Sequence, residues 1–290
     1  MPRKTMTNGS PRIAAVVVLY HPAPDVIDNI SSWAGQVHSI VAVDNSGGDV
    51  STVVSAIAAM EKVILIRNRE NDGIARALNI GAEKADRSGY DLLLTMDQDS
   101  CAAEDMIRRM LECLDSRSMA RFGIVSPFHV TKSGHIPGRE VCQNVMTPMT
   151  SGCLLNLRAY REAGPFQEDF FIDFVDNEYC LRLRKHGFGV YRANLARLEH
   201  SVGDTKKYGP FIATNHSPLR RYYKTRNRFW VFQEYVRDFP GHCLFDVVRL
   251  AKEIVSIILF EGAKRDKLRM MWRGWSDYLH GNFGKYVGRD

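Results

Sequence analysis

Asp97 and Asp99 flank Gln98 directly after the apolar run Asp91–Met96 (DLLLTM). If the chain stays extended there, residues i and i+2 point to one side, so both carboxylates face one cleft. Paired hard oxygen donors suit Mg²⁺ or Mn²⁺ shared with a diphosphate. Such a cation offsets charge on a departing nucleoside diphosphate. A DxD triplet alone is common in ordinary turns. Its place at the end of a buried strand is what marks it.

Four further groups could do chemistry. In Asn71–Asn79 (NDGIARALN), Asn71 or Asp72 suits a helix N-cap, and Gly73 allows close backbone approach. Arg76 and Asn79 then share one helix face, and Arg76 could meet a phosphate, although an exposed arginine on a capped helix fits equally. In Phe170–Glu178 (FFIDFVDNE), carboxylates lie among aromatic rings, which favours a raised pKa and a general base. Asp173 and Asp176 could also cap the helix that follows. His200 follows a strand-like segment and could bind metal or phosphate, while a lone histidine is more often structural. Arg220–Arg228 (RRYYKTRNR) interleaves basic and aromatic residues, which could meet a diphosphate, a phospholipid head group or nucleic acid.

These residues need a frame. Ile13–Leu19 is a continuous apolar run that suits a strand buried on both faces. Segments 39–43, 62–66 and 91–96 read as further strands, with helical patterns at about 25–34, 51–60 and 72–87 between them. Alternating strand and helix predicts an α/β fold, a Rossmann-like, mostly parallel sheet with helices on both faces. In such sheets ligands bind beyond the carboxyl ends of the strands. Tyr20-His21, Asp44-Asn45, Arg67-Asn68 and Asp97-Gln98-Asp99 occupy those ends. Further on, Phe122–Ser126 and Cys153–Leu157 read as strands, residues 131–148 as a flexible loop, and Asp176–His186, Tyr222–Tyr235 and Leu244–Glu261 as helices. The expected organisation is a flexible lead (1–12), a catalytic domain (13–205) and a helical basic C-terminal region (206–290). Residues 13–205 divide where the pattern changes, into 13–126 and 127–205, which the family resemblance given below implies are a nucleotide-sugar half and an acceptor half.

The 290 residues are 45% hydrophobic and 25% charged, ordinary for a globular protein. Residues 201–290 carry 17 Lys/Arg against 9 Asp/Glu, so the chain's net +6 is concentrated at its end. That end reads as a solvated basic surface or one that meets anions. The six cysteines form no CxxC pair, which argues against a zinc ribbon. Met1 to Arg12 is polar and does not read as a secretory signal. The expectation is six reduced thiols in a cytoplasmic protein, with no membrane-spanning helix.

Taken in order, VVVLYHP (16–22), VDNS (43–46), NDGIARALNIGAEKA (71–85), LLLTMDQDS (92–100), TSGCLLN (150–156), FFIDFVDNEYCLRLRKHG (170–187), EHSVG (199–203) and RRYYKTRNRF (220–229) resemble the family-2 inverting glycosyltransferases of the GT-A fold, specifically bacterial rhamnosyltransferases. The resemblance implies a nucleotide-sugar site. Tyr20 and His21 would flank the nucleotide, and Asp44 would recognise a pyrimidine with Arg67 or Asn68 nearby. Arg76 and Asn79 would lie near the base and diphosphate, and Gln98, Ser151 and Gly152 would join the donor site. Asp97 would face the ribose and metal, and Asp99 would be the main metal ligand, with His200 near metal and diphosphate. Arg226 and Asn227 would meet diphosphate or acceptor. Asp176 matches the catalytic base. Val175 stands where many members carry a glutamate, which leaves Asp173 as a rival.

The implied reaction moves L-rhamnose from dTDP-β-L-rhamnose to a hydroxyl of a bacterial surface glycan: an O-antigen, lipopolysaccharide or capsule intermediate. The alternatives are a UDP-sugar donor (galactofuranose, glucose or N-acetylhexosamine) or a non-catalytic nucleotide- or nucleic-acid-binding module. Nucleic acid is the weaker partner, because helix-turn-helix, RNP and zinc signatures are missing. The apolar positions Leu244, Val247, Val248, Ala251, Ile254, Val255 and Ile258 recur at helical spacing. They predict a helix packed on the catalytic domain, a homodimer interface, or an interfacial helix. The last would make the protein peripheral on the inner face of the cell membrane, near a lipid-linked acceptor.

Overall fold

The computed structural model describes residues 10–114, 121–130, 137–138, 140–200, 206–209 and 211–288. Most of the expected flexible lead and part of the expected 131–148 loop lie outside them. One nine-stranded sheet organises the chain, in the order β3-β2-β1-β4-β8-β6-β9-β5 with β7 on β9. The strands are β1 (Ile13–Leu19), β2 (Ser39–Asp44), β3 (Val63–Arg67), β4 (Leu92–Asp97), β5 (Ser100–Ala102), β6 (Phe122–Val130), β7 (Cys142–Asn144), β8 (Cys153–Asn156) and β9 (Gly189–His200). A separate hairpin pairs β10 (Lys206–Tyr208) with β11 (Phe211–Ala213).

β1 shows why the frame forms. Ala14 and Val16 enter one apolar core, while Ile13, Ala15, Val17 and Leu19 enter the other. A strand buried on both faces must be apolar throughout, so its continuous run is its signature. The first core is covered by α3 (Ile74–Arg87), α5 (Leu157–Ala163), α6 (Val175–Lys185) and α7 (Pro218–Tyr235). The second is covered by α1 (Val26–Ala34), α2 (Thr52–Ala58) and α4 (Met106–Cys113). Two long helices follow, α8 (Pro240–Phe260) and α9 (Lys264–Leu279).

Strands β3, β2, β1 and β4 are mutually parallel. β6 and β9 pair in parallel and run the same way as β4, since β8 is antiparallel to both β4 and β6; only β8, β5 and β7 run against them, so the sheet is mostly parallel, as expected.

The cysteine reading needs a correction. Cys113 in the last turn of α4 and Cys142 in β7 form a disulfide, with Cα atoms 4.9 Å apart. Their separation of 29 residues hid a proximity that only the packed fold creates. Cys101, Cys153, Cys180 and Cys243 are free thiols. Among the described residues no helix is long and apolar enough to cross a membrane.

The basic C-terminal region also differs from a solvated surface. Arg221, Arg226 and Arg228 of α7 are buried. Arg221 pairs with Glu261 at 2.7 Å and with Glu253, and Arg228 pairs with Asp246 at 2.9 Å and with Glu253 at 3.0 Å. Buried cations need such partners, because leaving them unpaired is expensive.

Candidate active site

The parallel register sets four strand ends side by side. Leu19 is opposite Asp44, Asp44 is opposite Arg67, and Val18 is opposite Asp97. Arg67 reaches back to the buried Asp44, Nε to carboxylate 3.2 Å, and the Ser46 amide donates to Asp44 at 3.0 Å. Tyr20 and Gln98 tie β1 to the turn after β4: the Tyr20 amide donates to Gln98 at 2.8 Å, and Gln98 Nε2 donates to the Tyr20 carbonyl. The His21 amide donates to the Ser46 hydroxyl. Tyr20 and His21 pack edge to face and are exposed at the rim.

Gln98 and Asp99 form a tight turn between β4 and β5, so the chain does not stay extended through the triplet. Position in the turn, and not strand alternation, sets the two carboxylates: Asp97 is half-buried and Asp99 exposed. Ser151 braces the turn, accepting from the Asp97 amide at 3.1 Å and contacting the Ser100 hydroxyl at 2.8 Å. Gly152 makes that brace possible. Its φ is +76°, and a Cβ there would sit 2.7 Å from both Leu198 and Pro127 side chains. His129 Nε2 donates to the Ser151 carbonyl at 2.8 Å. His200 pairs through its backbone with Ser100, next to Asp99; its side chain lies outside the description, as do Ser201 to Gly203 of the 199–203 motif.

Across from this turn lies the segment before α6. Phe171, Asp173 and Phe174 all have positive φ, at 63°, 62° and 66°. Non-glycine residues held there cost free energy, and such strain gathers at functional sites. Asp176 follows in the first turn of α6, and burial raises its pKa above the ordinary carboxylate value. Hydrogen bonds from the Asn177 amide groups oppose that shift, and the nearby Asp173 charge adds to it. Asp176 lines a small cavity with Thr95, Thr150, Cys153 and Cys180. Burial also pushes the Cys153 thiol up, reinforced by the charges of Asp176 and Asp97. Neither Asp173 nor Asp176 caps α6 with its side chain. Asp173 is instead held by Arg220, whose Nε lies 3.2 and 3.1 Å from its two oxygens.

Four expected ligand contacts look different in the fold. Arg226 and Asn227 are fully buried, so neither is placed to meet a diphosphate or acceptor. Asn227 Nδ2 instead donates to the carbonyls of Phe170, Ile172 and Asp173 at 2.9–3.0 Å. Arg226 donates to those of Asp169, Phe170 and Gly284. Their physical task is to satisfy a strained loop's backbone, which water cannot reach. Asn79 is buried too: it donates to the Phe166 carbonyl and accepts from the Phe166 amide. Arg76 is half-exposed and paired with Glu168 at 3.0 Å.

Asn45 is a positioning residue that its sequence setting understated. It is buried, donates to Asn71 and to the Gly73 carbonyl, and accepts from Asn68 and from the Asp72 amide. The cap expected from Asn71 or Asp72 is realised differently: Gly73 is the N-cap, and Asn71 accepts from its amide at 2.9 Å. The one available signal for Asn45 was its position just past a buried strand.

The donor set fits a hard divalent cation. Asp97 and Asp99 supply carboxylate oxygens at a braced turn, and the described residues contain no group of three or more His, Cys, Asp or Glu able to hold a metal. Two protein carboxylates with the rest from phosphate and water is the usual economy of Mg²⁺ sites.

A nine-stranded, mostly parallel sheet with helices on both faces has the architecture of the GT-A glycosyltransferases. The sequence model "Glycosyl transferase family 2" matches residues 15–164, and the chain belongs to that family. It is 28% identical over 242 residues to the dTDP-rhamnosyl transferase RfbF of Shigella flexneri, covering 77% of this chain and 80% of the relative. Two solved structures share the fold at 12% identity. The TarS 1–349 complex with UDP-GlcNAc from S. aureus has a TM-score of 0.61, covering 93% of this chain and 81% of that one. GalNAc-T7 with UDP, GalNAc and Mn²⁺ has a TM-score of 0.60, covering 82% of this chain and 50% of that one.

Proposed function

We propose that this glycosyltransferase moves L-rhamnose from dTDP-β-L-rhamnose, with inversion, to a hydroxyl of a bacterial surface glycan. The observation that carries the chemistry is the small cavity in which Asp176 meets Cys153 and Thr95 of β4, two residues before Asp97. The similarity to a dTDP-rhamnosyl transferase supports the donor.

Asp176 takes the acceptor hydroxyl proton as that oxygen attacks the anomeric carbon. The bond from that carbon to the diphosphate breaks on the opposite side, and dTDP leaves. Asp99 and Asp97 would hold a Mg²⁺ or Mn²⁺, which would supply charge neutralisation for the departing diphosphate. Asp44, backed by Arg67, faces the nucleotide base, with Asn68 beside it; Tyr20 and His21 flank the nucleotide. Arg76, in the first turn of α3, would leave Glu168 to answer the diphosphate. His200, whose backbone pairs with Ser100 next to Asp99, would stand close to that ion. Gln98, Ser151 and Gly152 hold the turn. Asp173 is the lesser base, because Arg220 occupies its oxygens.

The test is a donor screen on purified protein by thermal shift and by nucleotide release, with Mn²⁺ or Mg²⁺. Selective stabilisation by dTDP-rhamnose and release of dTDP are expected, since a ligand raises apparent stability by mass action. Stabilisation by a UDP-sugar alone would replace the donor and leave the family intact.

A further inference from the structure

Helix α8 fully buries only Cys243, Ser256 and Ile257. Its polar residues Asp246 and Glu253 turn inward to Arg228, Arg221 and Lys224. Its apolar residues Leu244, Val247, Val248, Val255, Ile258 and Leu259 turn outward, from 37% to 66% exposed. At 100° per residue these six fall on one stripe, roughly 120° wide. Residues 244 to 259 extend it for about 24 Å. Buried ion pairs fix this orientation, so the helix cannot roll its apolar side inward without stranding Arg221 and Arg228. A soluble monomer rarely leaves such a patch open.

The charges around the stripe select what covers it. Arg249 and Lys252 are exposed beside it, and Lys264, Arg265 and Arg269 are exposed just beyond it, against Asp266 alone. Arg249, Phe245, His242 and Arg192 also line a cavity of about 310 Å³ at its first turns. A second copy of the chain fits poorly. In a two-fold contact the stripe meets itself, and Lys252, at its midpoint, would meet Lys252 of the other copy. An anionic surface meets the same rim with opposite charge.

We propose that the outward face of α8 docks on an anionic lipid bilayer, lying in the interface plane and holding the catalytic sheet at the membrane. Docking is independent of which donor the active site takes. The apolar stripe enters the acyl boundary while the basic rim stays at the head groups. No spanning helix is required.

The test is flotation of the full chain with phosphatidylcholine vesicles, with and without phosphatidylglycerol. The wild-type chain is expected to float with the anionic vesicles and to lose binding in high salt. Val248→Glu with Val255→Glu should cut partitioning about a hundredfold, because two outward valines then carry charge. Lys252→Glu, a surface change that leaves the stripe intact, should cut it about tenfold on anionic vesicles. Melting curves of both variants should match the wild type. A wild-type chain that does not float, or variants that float as well as it does, overturn the proposal. A wild-type dimer that the valine variant splits, without flotation, assigns the stripe to a second copy and overturns it too.

Discussion

The side-chain amide of Asn227 donates to the backbone carbonyl of Asp173 at 2.9 Å, joining α7 to a residue whose own φ is positive. The same nitrogen serves Phe170 and Ile172, so one side chain holds most of the loop that leads to Asp176. Asn227→Ala strands those carbonyls. It should cost about 2 kcal/mol or more of stability, read as a lower urea midpoint at unchanged slope. Turnover should fall more than donor affinity, because the loop leads to Asp176, the proposed base.

Asp176 must be ionised to accept a proton, and burial raises its pKa. Activity should therefore fall on the acid side from a pH above the ordinary carboxylate range. Asp176→Asn should lower turnover about 10²- to 10⁴-fold and abolish that limb. Asp173→Asn should keep the limb. A kcat/KM profile against pH for the three proteins decides between the two aspartates.

Asp99 is exposed at its turn, so Asp99→Ala should leave the fold intact. The substitution should remove metal-dependent stabilisation by the nucleotide sugar, and chelation of the wild type should do the same. Calorimetric titration of Mn²⁺ with nucleotide present checks both.

Gly73 has φ +84°, and a Cβ there would lie 2.5 Å from the Phe171 carbonyl oxygen. Gly73→Ala should cost about 2 kcal/mol or more, measured by thermal unfolding. Retained stability would show that α3 and the loop can separate.

Burial alone would raise the Glu253 carboxyl, yet Lys224, Arg228 and Arg221 outweigh it and hold its pKa at about 2. A depressed carboxylate contributes stability above its unfolded pKa and loses it as pH falls through the folded value. Glu253→Gln should therefore be less stable at neutral pH, by on the order of 3 kcal/mol. The gap should close between about pH 4.5 and pH 2.

The parallel half of the sheet was legible because doubly buried strands must be apolar from end to end, as in Ile13–Leu19. Strand β9 reads less clearly, since Arg192, Asn194 and Arg197 interrupt it and find partners or solvent in the fold. The strand ends bearing Asp44, Arg67 and Asp97 followed from topology alone. Arg226 and Asn227 did not, because a sequence displays a charge and hides the carbonyls that will neutralise it. Periodicity announced an apolar face on α8 but could not say which way it looks, a choice made by Glu253 and Asp246. The Cys113–Cys142 pair depended on a contact with no local signature.

The amide of Ile74 donates to the Phe171 carbonyl at 2.7 Å, and Gly73 packs directly on that residue. The first turn of α3, where an anion would approach, is thus joined to the backbone that sets the height of Asp176. In engineering terms the two share one hinge pin. A graft that refits α3 to another sugar nucleotide disturbs the Phe171 backbone as well, so a donor swap calls for compensating changes there.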